Sequence, residues 1–239
     1  MSAQRGALFL VPVSLGDTAC SHILPHEVQA VARRLRHFVV ENAKTARTEL
    51  KRLEHPGPLR DIDIQVLPEK DAPAALDALL APALQGHDIG LMSEAGCPAV
   101  ADPGARLVAR AHALDIEVRP LVGPSSILLA LMASGLNGQS FAFNGYLPVS
   151  ESERDGRIRQ LEDESRRLQR TQIFIETPYR NERLFDALLA NCRPATRLCV
   201  ARELTTDSEW VHSASIADWR RKPRPELARR PTLFLLLAS

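Results

Sequence analysis

The residues most suited to chemistry lie between Gly90 and Gly104. An apolar strand, Asp88 to Met92, runs directly into Ser93-Glu94-Ala95-Gly96-Cys97-Pro98-Ala99-Val100-Ala101-Asp102-Pro103-Gly104. A strand that ends in a Gly/Pro loop before a helix brings backbone N–H groups to the carboxyl edge of a sheet, where open α/β sheets bind small ligands. Proline fixes the loop's shape and glycine permits close approach to its backbone. A second such punctuation, Val122-Gly123-Pro124-Ser125-Ser126, opens a very apolar helix from Ile127 to Ser134. The Ser125 and Ser126 hydroxyls there suit a helix N-cap, and capping is compatible with touching a ligand. Near Cys97 the sequence offers nothing that would depress a thiol pKa. No GxGxxG and no P-loop GxxxxGK[ST] occurs, which weighs against dinucleotide dehydrogenases and P-loop nucleotidases. The four cysteines form no CxxC pair and no Cys/His group has zinc spacing, so no metal is expected.

The elements that position these loops follow from hydrophobic periodicity. Ala7 to Val11 is a continuous apolar run, as expected of a strand buried on both faces, and Pro12-Val13-Ser14-Leu15-Gly16-Asp17 turns after it. Helices are predicted through Val28, Val31 and Leu35, through Ala46, Leu50 and Leu53, and through Leu76, Leu79, Leu80 and Leu84. A fourth carries Leu107, Val108, Ala111 and Leu114. Strands Phe38–Val40, Ile62–Val66, Asp88–Met92 and Ile116–Leu121 alternate with them. This repeated strand–helix rhythm predicts a mainly parallel sheet with helices on both faces. The second half differs: short strands at Phe141–Phe143, Ile173–Ile175, Leu198–Ala201 and Thr232–Leu237 alternate with a charged helix near Glu153–Gln169, a helix through Leu184–Leu189 and a hairpin around Trp210–His212. A mixed sheet is expected there. The reading is therefore two α/β domains, residues 1–122 and residues 123–239.

At 239 residues, 45% hydrophobic and 25% charged, the chain has an ordinary globular composition, and a net charge of +1 gives no global field for nucleic acid. The arginines from Arg154 onward are interleaved with acids and read as a solvated helix face rather than a basic RNA-facing patch. Few cysteines fit a reducing cytosol, no signal peptide is apparent, and no apolar run approaches a membrane span. A cytoplasmic location without membrane association is the expectation.

Five loops together carry a resemblance: Val11-Pro12-Val13-Ser14-Leu15-Gly16-Asp17, Ser93 to Pro98 with Asp102-Pro103-Gly104, Val122 to Ser126, Asn144-Gly145-Tyr146-Leu147-Pro148, and Glu176-Thr177-Pro178-Tyr179-Arg180. Their order and spacing resemble the tetrapyrrole (corrin/porphyrin) methylase family, and within it the branch that 2′-O-methylates a cytidine of small-subunit ribosomal RNA. The resemblance implies two α/β domains with S-adenosylmethionine in a cleft between them, usually in a homodimer. By matching position it implies cofactor contacts at Leu15, at Ser93, Ala95, Gly96, Cys97 and Val100, at Ser125 and Ser126, at Glu176, and at Pro231 and Thr232. Where the ribosomal branch has P-x-G-N and A-E-D-T-R, this chain has Ser14-Leu15-Gly16-Asp17 and Val40-Glu41-Asn42-Ala43-Lys44. The resemblance thus supports methyl transfer better than any one acceptor. A small-molecule acceptor such as a tetrapyrrole, and a binding module without turnover, remain alternatives.

Methyl transfer from a sulfonium needs chiefly an aligned acceptor, so positioning supplies most of the effect. A ribose hydroxyl would also benefit from a general base. The carboxylates at loop ends are Asp17, Glu41, Glu94, Glu176 and Glu203; for each, a cap, ion pair or solvated group is the ordinary role. Glu176 stands out because it ends an apolar strand beside Thr177-Pro178, although sequence assigns no catalytic residue. Tyr179 and Trp210 have rings that can stack on a planar substrate, but core packing is the expected role of both.

Overall fold

The structure is a computed structural model and describes residues 5–68 and 73–239. Contacts within the chain gather into two units, one running up to Ser125 and the other starting at Ser126. The described residues form two sheets of five strands, one in each unit.

In the N-terminal unit, β1 (Ala7–Leu10), β2 (His37–Val40), β3 (Asp63–Val66), β4 (Ile89–Met92) and β5 (Glu117–Pro120) are all parallel, in the order β3-β2-β4-β1-β5. The three inner strands β1, β2 and β4 are mainly apolar and buried on both faces, whereas the edge strands β3 and β5 carry polar, exposed residues. Phe9, Phe38, Val40 and Met92 point into one core, with α1 (Cys20–Ile23), α2 (His26–Arg34) and α3 (Ala43–Arg52). Leu8, Val39, Ile89 and Leu91 point into the other, with α4 (Pro73–Leu84) and α5 (Ala105–Ala113). The neighbours β1 and β4 therefore send their connections off on opposite faces and in opposite directions, to β2 and to β5. That is a topological switch point, and the crevice at the carboxyl ends of two such strands is where a parallel sheet takes a ligand.

The C-terminal unit begins with α6 (Ser126–Ser134), which lies against β8, β9 and β10. Its sheet holds β6 (Phe141–Tyr146), β7 (Thr171–Ile175), β8 (Arg197–Arg202), β9 (Trp210–Ser215) and β10 (Thr232–Leu237), in the order β6-β7-β10-β8-β9. Only β6 and β7 run parallel; the other pairs are antiparallel, so the sheet is mixed. α7 (Glu151–Leu168), α8 (Asn181–Asn191) and α9 (Ile216–Trp219) close a core around Phe174, Phe185, Leu188, Val200, Trp219 and Phe234. Ser150 caps α7 by accepting from the Glu153 N–H at 3.4 Å.

Trp210-Val211-His212 opens β9, which forms the expected hairpin with β8: the two strands pair antiparallel from Arg202 and Trp210 outward. The helix α1 was not legible, because four residues show no periodicity.

Candidate cofactor-binding site

Three loops at the carboxyl ends of β1, β4 and β5 meet. Val13 and Gly96 form an antiparallel bridge, with Val13 N–H donating to the Gly96 carbonyl at 3.0 Å and Gly96 N–H to the Val13 carbonyl at 3.2 Å. Gly96 has φ +75°, and a Cβ there would sit 3.2 Å from Leu15 Cδ2 and 3.5 Å from the Pro124 carbonyl oxygen. Only glycine takes this backbone freely. A Cβ on Gly123 would overlap Pro12 at 2.2 Å, so the third loop packs directly on the first. The Cys97 thiol points at the same junction, 3.3 Å from the Pro124 carbonyl. Burial, and secondarily the charge of Asp102, push that thiol's pKa up, so it is not a poised nucleophile. Ala99 and Ala101 hold left-handed φ values of 66° and 62° on either side of Val100, which is 50% exposed. Such backbone strain in non-glycine residues collects at functional sites. Leu15, Ser93, Ala95, Gly96, Cys97, Val100 and Ser125 thus belong to one edge of the N-terminal unit.

An uncompensated acidic group adjoins this edge. Asn42 caps α3, accepting from Lys44 N–H at 2.9 Å and Thr45 N–H at 3.3 Å, and so fixes the turn after Glu41. Glu94 N–H donates to Glu41 Oε2 at 3.2 Å, and Thr45 Oγ1 donates to Glu94 Oε1 at 3.3 Å. Asp102 is half-buried in a narrow crevice lined by Glu41, Ser93, Leu91 and Met92. Desolvation, then the charge of Glu41, push its pKa from the usual 3.8 up to about 6; a hydrogen bond with Ser93 opposes the shift and Glu94 adds to it.

The first loop is clamped from α3. Glu49, 5% exposed, accepts from the Ser14 N–H at 3.1 Å and from the Ser14 hydroxyl. Arg52 Nη1 donates to Glu49 Oε2 at 3.1 Å, to Ser14 Oγ at 2.6 Å and to the Gly16 carbonyl at 3.4 Å, while Nη2 reaches the Thr18 carbonyl. Sequence reading passed over both residues. The available signal was a carboxylate on the buried stripe Ala46, Leu50, Leu53 of an amphipathic helix.

In the C-terminal unit, Glu176 and Thr232 share one sheet edge, since Ile175 pairs with Leu233. Glu176 is buried, and its Oε1 accepts from Thr177 N–H at 2.6 Å and Arg180 Nη2 at 2.5 Å. That ion pair makes it a structural carboxylate rather than a free base. Glu203 is engaged likewise by Arg230 Nη1 at 2.6 Å. The Thr232 hydroxyl donates to the Arg230 carbonyl at 2.9 Å, and the Pro231 carbonyl accepts from Glu203 N–H at 2.9 Å. Ser126 is the first residue of α6. Core packing describes Trp210, which lies partly buried against the core, but not Tyr179, which is 80% exposed.

The residues present fit S-adenosylmethionine. The loop junction is built from glycine, alanine and proline, which lets the three loops approach one another closely at the sheet edge. Asp102, whose pKa is raised by desolvation and by the charges of Glu41 and Glu94, stands in an acidic group that suits a cationic sulfonium and ammonium. A switch-point crevice with such loops beside an acidic group suits a small cationic nucleoside derivative.

The comparisons with known proteins agree. The family model for Tetrapyrrole (Corrin/Porphyrin) Methylases matches residues 25–219. The ribosomal RNA small subunit methyltransferase I of Pseudomonas aeruginosa is 31% identical over 223 residues, covering 90% of this chain and 73% of its own. Its namesake from Escherichia coli O157:H7 is 29% identical over 237 residues, covering 99% and 78%. The solved methyltransferase CobJ superposes with a TM-score of 0.63 at 19% identity, covering 98% of this chain and 95% of its own, and so shares the fold. The chain belongs to the tetrapyrrole (corrin/porphyrin) methylase family, and it is an S-adenosylmethionine-dependent methyltransferase.

Proposed function

We propose that the chain methylates a ribose 2′-hydroxyl of small-subunit ribosomal RNA. The observation that carries this is the 31% identity, across 90% of the chain, to a protein named for that RNA. Leu15, Ser93, Ala95, Gly96, Cys97, Val100 and Ser125 would hold the cofactor from the N-terminal unit; Ser126, Glu176, Pro231 and Thr232 are the C-terminal candidates. When bound, S-adenosylmethionine supplies an electrophilic methyl group on sulfur. The chain's task is then to orient the acceptor oxygen and take up its proton. Asp102 suits the second role, because a carboxyl group with a pKa of about 6 binds and releases a proton near neutral pH. Glu176 and Glu203 do not, being held by arginines.

We also propose a cytoplasmic homodimer. Among the described residues no helix is long and apolar enough to cross a membrane. On α6, Leu128 and Met132 are 51% and 79% exposed one turn apart, an apolar strip that suits a second copy of the chain. Light scattering should give twice the 26.4 kDa chain mass, and a monomer would reject the dimer. The acceptor is tested by tritiated-methyl transfer to small ribosomal subunits from cells lacking this gene. Label should appear in a 2′-O-methylated nucleoside; label found only in a small-molecule fraction would overturn the RNA reading.

A further inference from the structure

We infer that Tyr179 and Arg229 form a stacking platform for an unpaired base of single-stranded RNA, at the carboxyl edge of the C-terminal unit's parallel strand pair. The inference rests on the RNA reading above and goes further, by naming the part of the acceptor that is gripped and the residues that grip it.

Tyr179 follows the end of β7 by four residues and is 80% exposed, the highest exposure among the large hydrophobic side chains of the described residues. Its ring is not loose. The Arg229 guanidinium carbon lies over it, 5.9 Å from the centroid. Arg229 adopts a left-handed φ of 60°, a conformation costly for arginine, and is held there by its N–H donating to the Pro178 carbonyl at 3.0 Å. The backbone thus takes on strain in order to set a cation over an exposed aromatic ring.

Charge separates Arg229 from its neighbours. Arg180 is paired with Glu176, Arg230 with Glu203 and Glu226, and Arg224 with Asp186. Arg229 has no carboxylate within ion-pair distance among the described residues. A π-face backed by an uncompensated guanidinium offers a base a stacking surface and its phosphate a counter-charge. A protein partner would instead favour an apolar surround. Tyr146, 60% exposed, ends the adjacent strand β6 and is aligned with Ile175 at the end of β7. The chain's two tyrosines therefore stand exposed at the same edge of two parallel strands, where a second base can follow the first along a single strand.

Fluorescence anisotropy with a short fluorescein-labelled oligocytidylate tests the platform. The 239-residue chain should bind it, and the same strand annealed to its complement should compete poorly, since paired bases cannot stack. Tyr179→Ala should weaken binding roughly tenfold, the loss of one base–aromatic stack, while Tyr179→Phe keeps it. Arg229→Met should weaken binding and flatten its salt dependence. Calorimetric affinity for S-adenosylhomocysteine should be unchanged in all three variants, which shows that they remain folded. Wild-type binding by Tyr179→Ala, with methylation of ribosomal RNA intact, would overturn the platform and leave the RNA reading standing. If the wild type neither binds the oligonucleotide nor methylates ribosomal RNA, both readings fall. If Tyr179→Ala changes self-association and not RNA binding, the ring belongs to a protein interface and the platform is wrong.

Discussion

Asp102 carries an unusual load for one residue. Its carboxyl group is partly desolvated in a narrow crevice and feels the charges of Glu41 and Glu94. Because its folded pKa of about 6 lies above the usual 3.8, the folded chain binds this proton more tightly than the unfolded chain. The resulting stability is fully present below about pH 4 and is lost as the pH rises through about 6. Asp102→Asn, which cannot ionise, should therefore raise the melting temperature at neutral pH, with a gain of about 1–2 kcal/mol after allowance for solvent screening. In acid, denaturation curves of variant and parent should converge. Methyl transfer by the same variant should fall far more than cofactor affinity does. A variant with normal turnover would remove Asp102 from proton uptake. The cation of S-adenosylmethionine favours ionised carboxylates, so calorimetric affinity should decline as the pH drops through 6, and more steeply than for the uncharged sulfur of S-adenosylhomocysteine. Gly96 sets a second limit at this scale. Gly96→Val must force a branched side chain into positive φ and against Leu15. Cofactor binding should be abolished while the melting temperature drops only modestly, because the strain falls on a loop and not on the core. Normal binding would reduce the loop to a connector.

The helix α3 links the acidic group to the first loop. Its N-cap Asn42 sets the turn beside Glu41, and its last turn holds Glu49 and Arg52 against Ser14, Gly16 and Thr18. Asn42→Ala should cost about 1 kcal/mol in denaturant unfolding. Glu49→Gln leaves the half-buried Arg52 with the exposed Asp17, 3.8 Å away, as its one charged partner among the described residues and should cost about 1–2 kcal/mol. It should also raise the KM for S-adenosylmethionine more than it lowers kcat, because the loop it holds binds and does not react. Equal effects on both constants would argue against a clamp. The same helix shows what sequence could and could not tell. Ala46, Leu50 and Leu53 announced the element and its buried face through their spacing alone. Glu49 sits on that same face, but a carboxylate's partners come from a loop 35 residues away, and periodicity carries no information across that distance. The parallel sheet was legible because apolar strands alternating with helices admit few topologies. The loop junction was legible because glycine and proline mark turns. Tyr179 was misjudged because composition treats aromatic rings as core, whereas the left-handed Arg229 that pins this one is a property of the folded backbone.

At the scale of the whole molecule, binding should appear as linked stability. S-adenosylhomocysteine at a hundred times its dissociation constant should add about 2.7 kcal/mol to the unfolding free energy, with one site per chain and no metal requirement. Calorimetric silence at millimolar cofactor would contradict the assignment of these loops. The strand order of the N-terminal sheet carries a further consequence, for the timing of folding. β1 is made first, yet its sheet neighbours are β4 and β5, whose residues pair with it from about eighty positions or more along the chain. During synthesis the first strand therefore emerges with both edges unpaired, while β2 and β3 can already join each other. The Val13–Gly96 bridge and the Cys97–Pro124 contact must follow β4 and β5 into place. The loops proposed to hold the methyl donor are thus among the last parts of their unit to be assembled, and a nascent chain stopped short of Pro124 carries that proposed site with one wall missing.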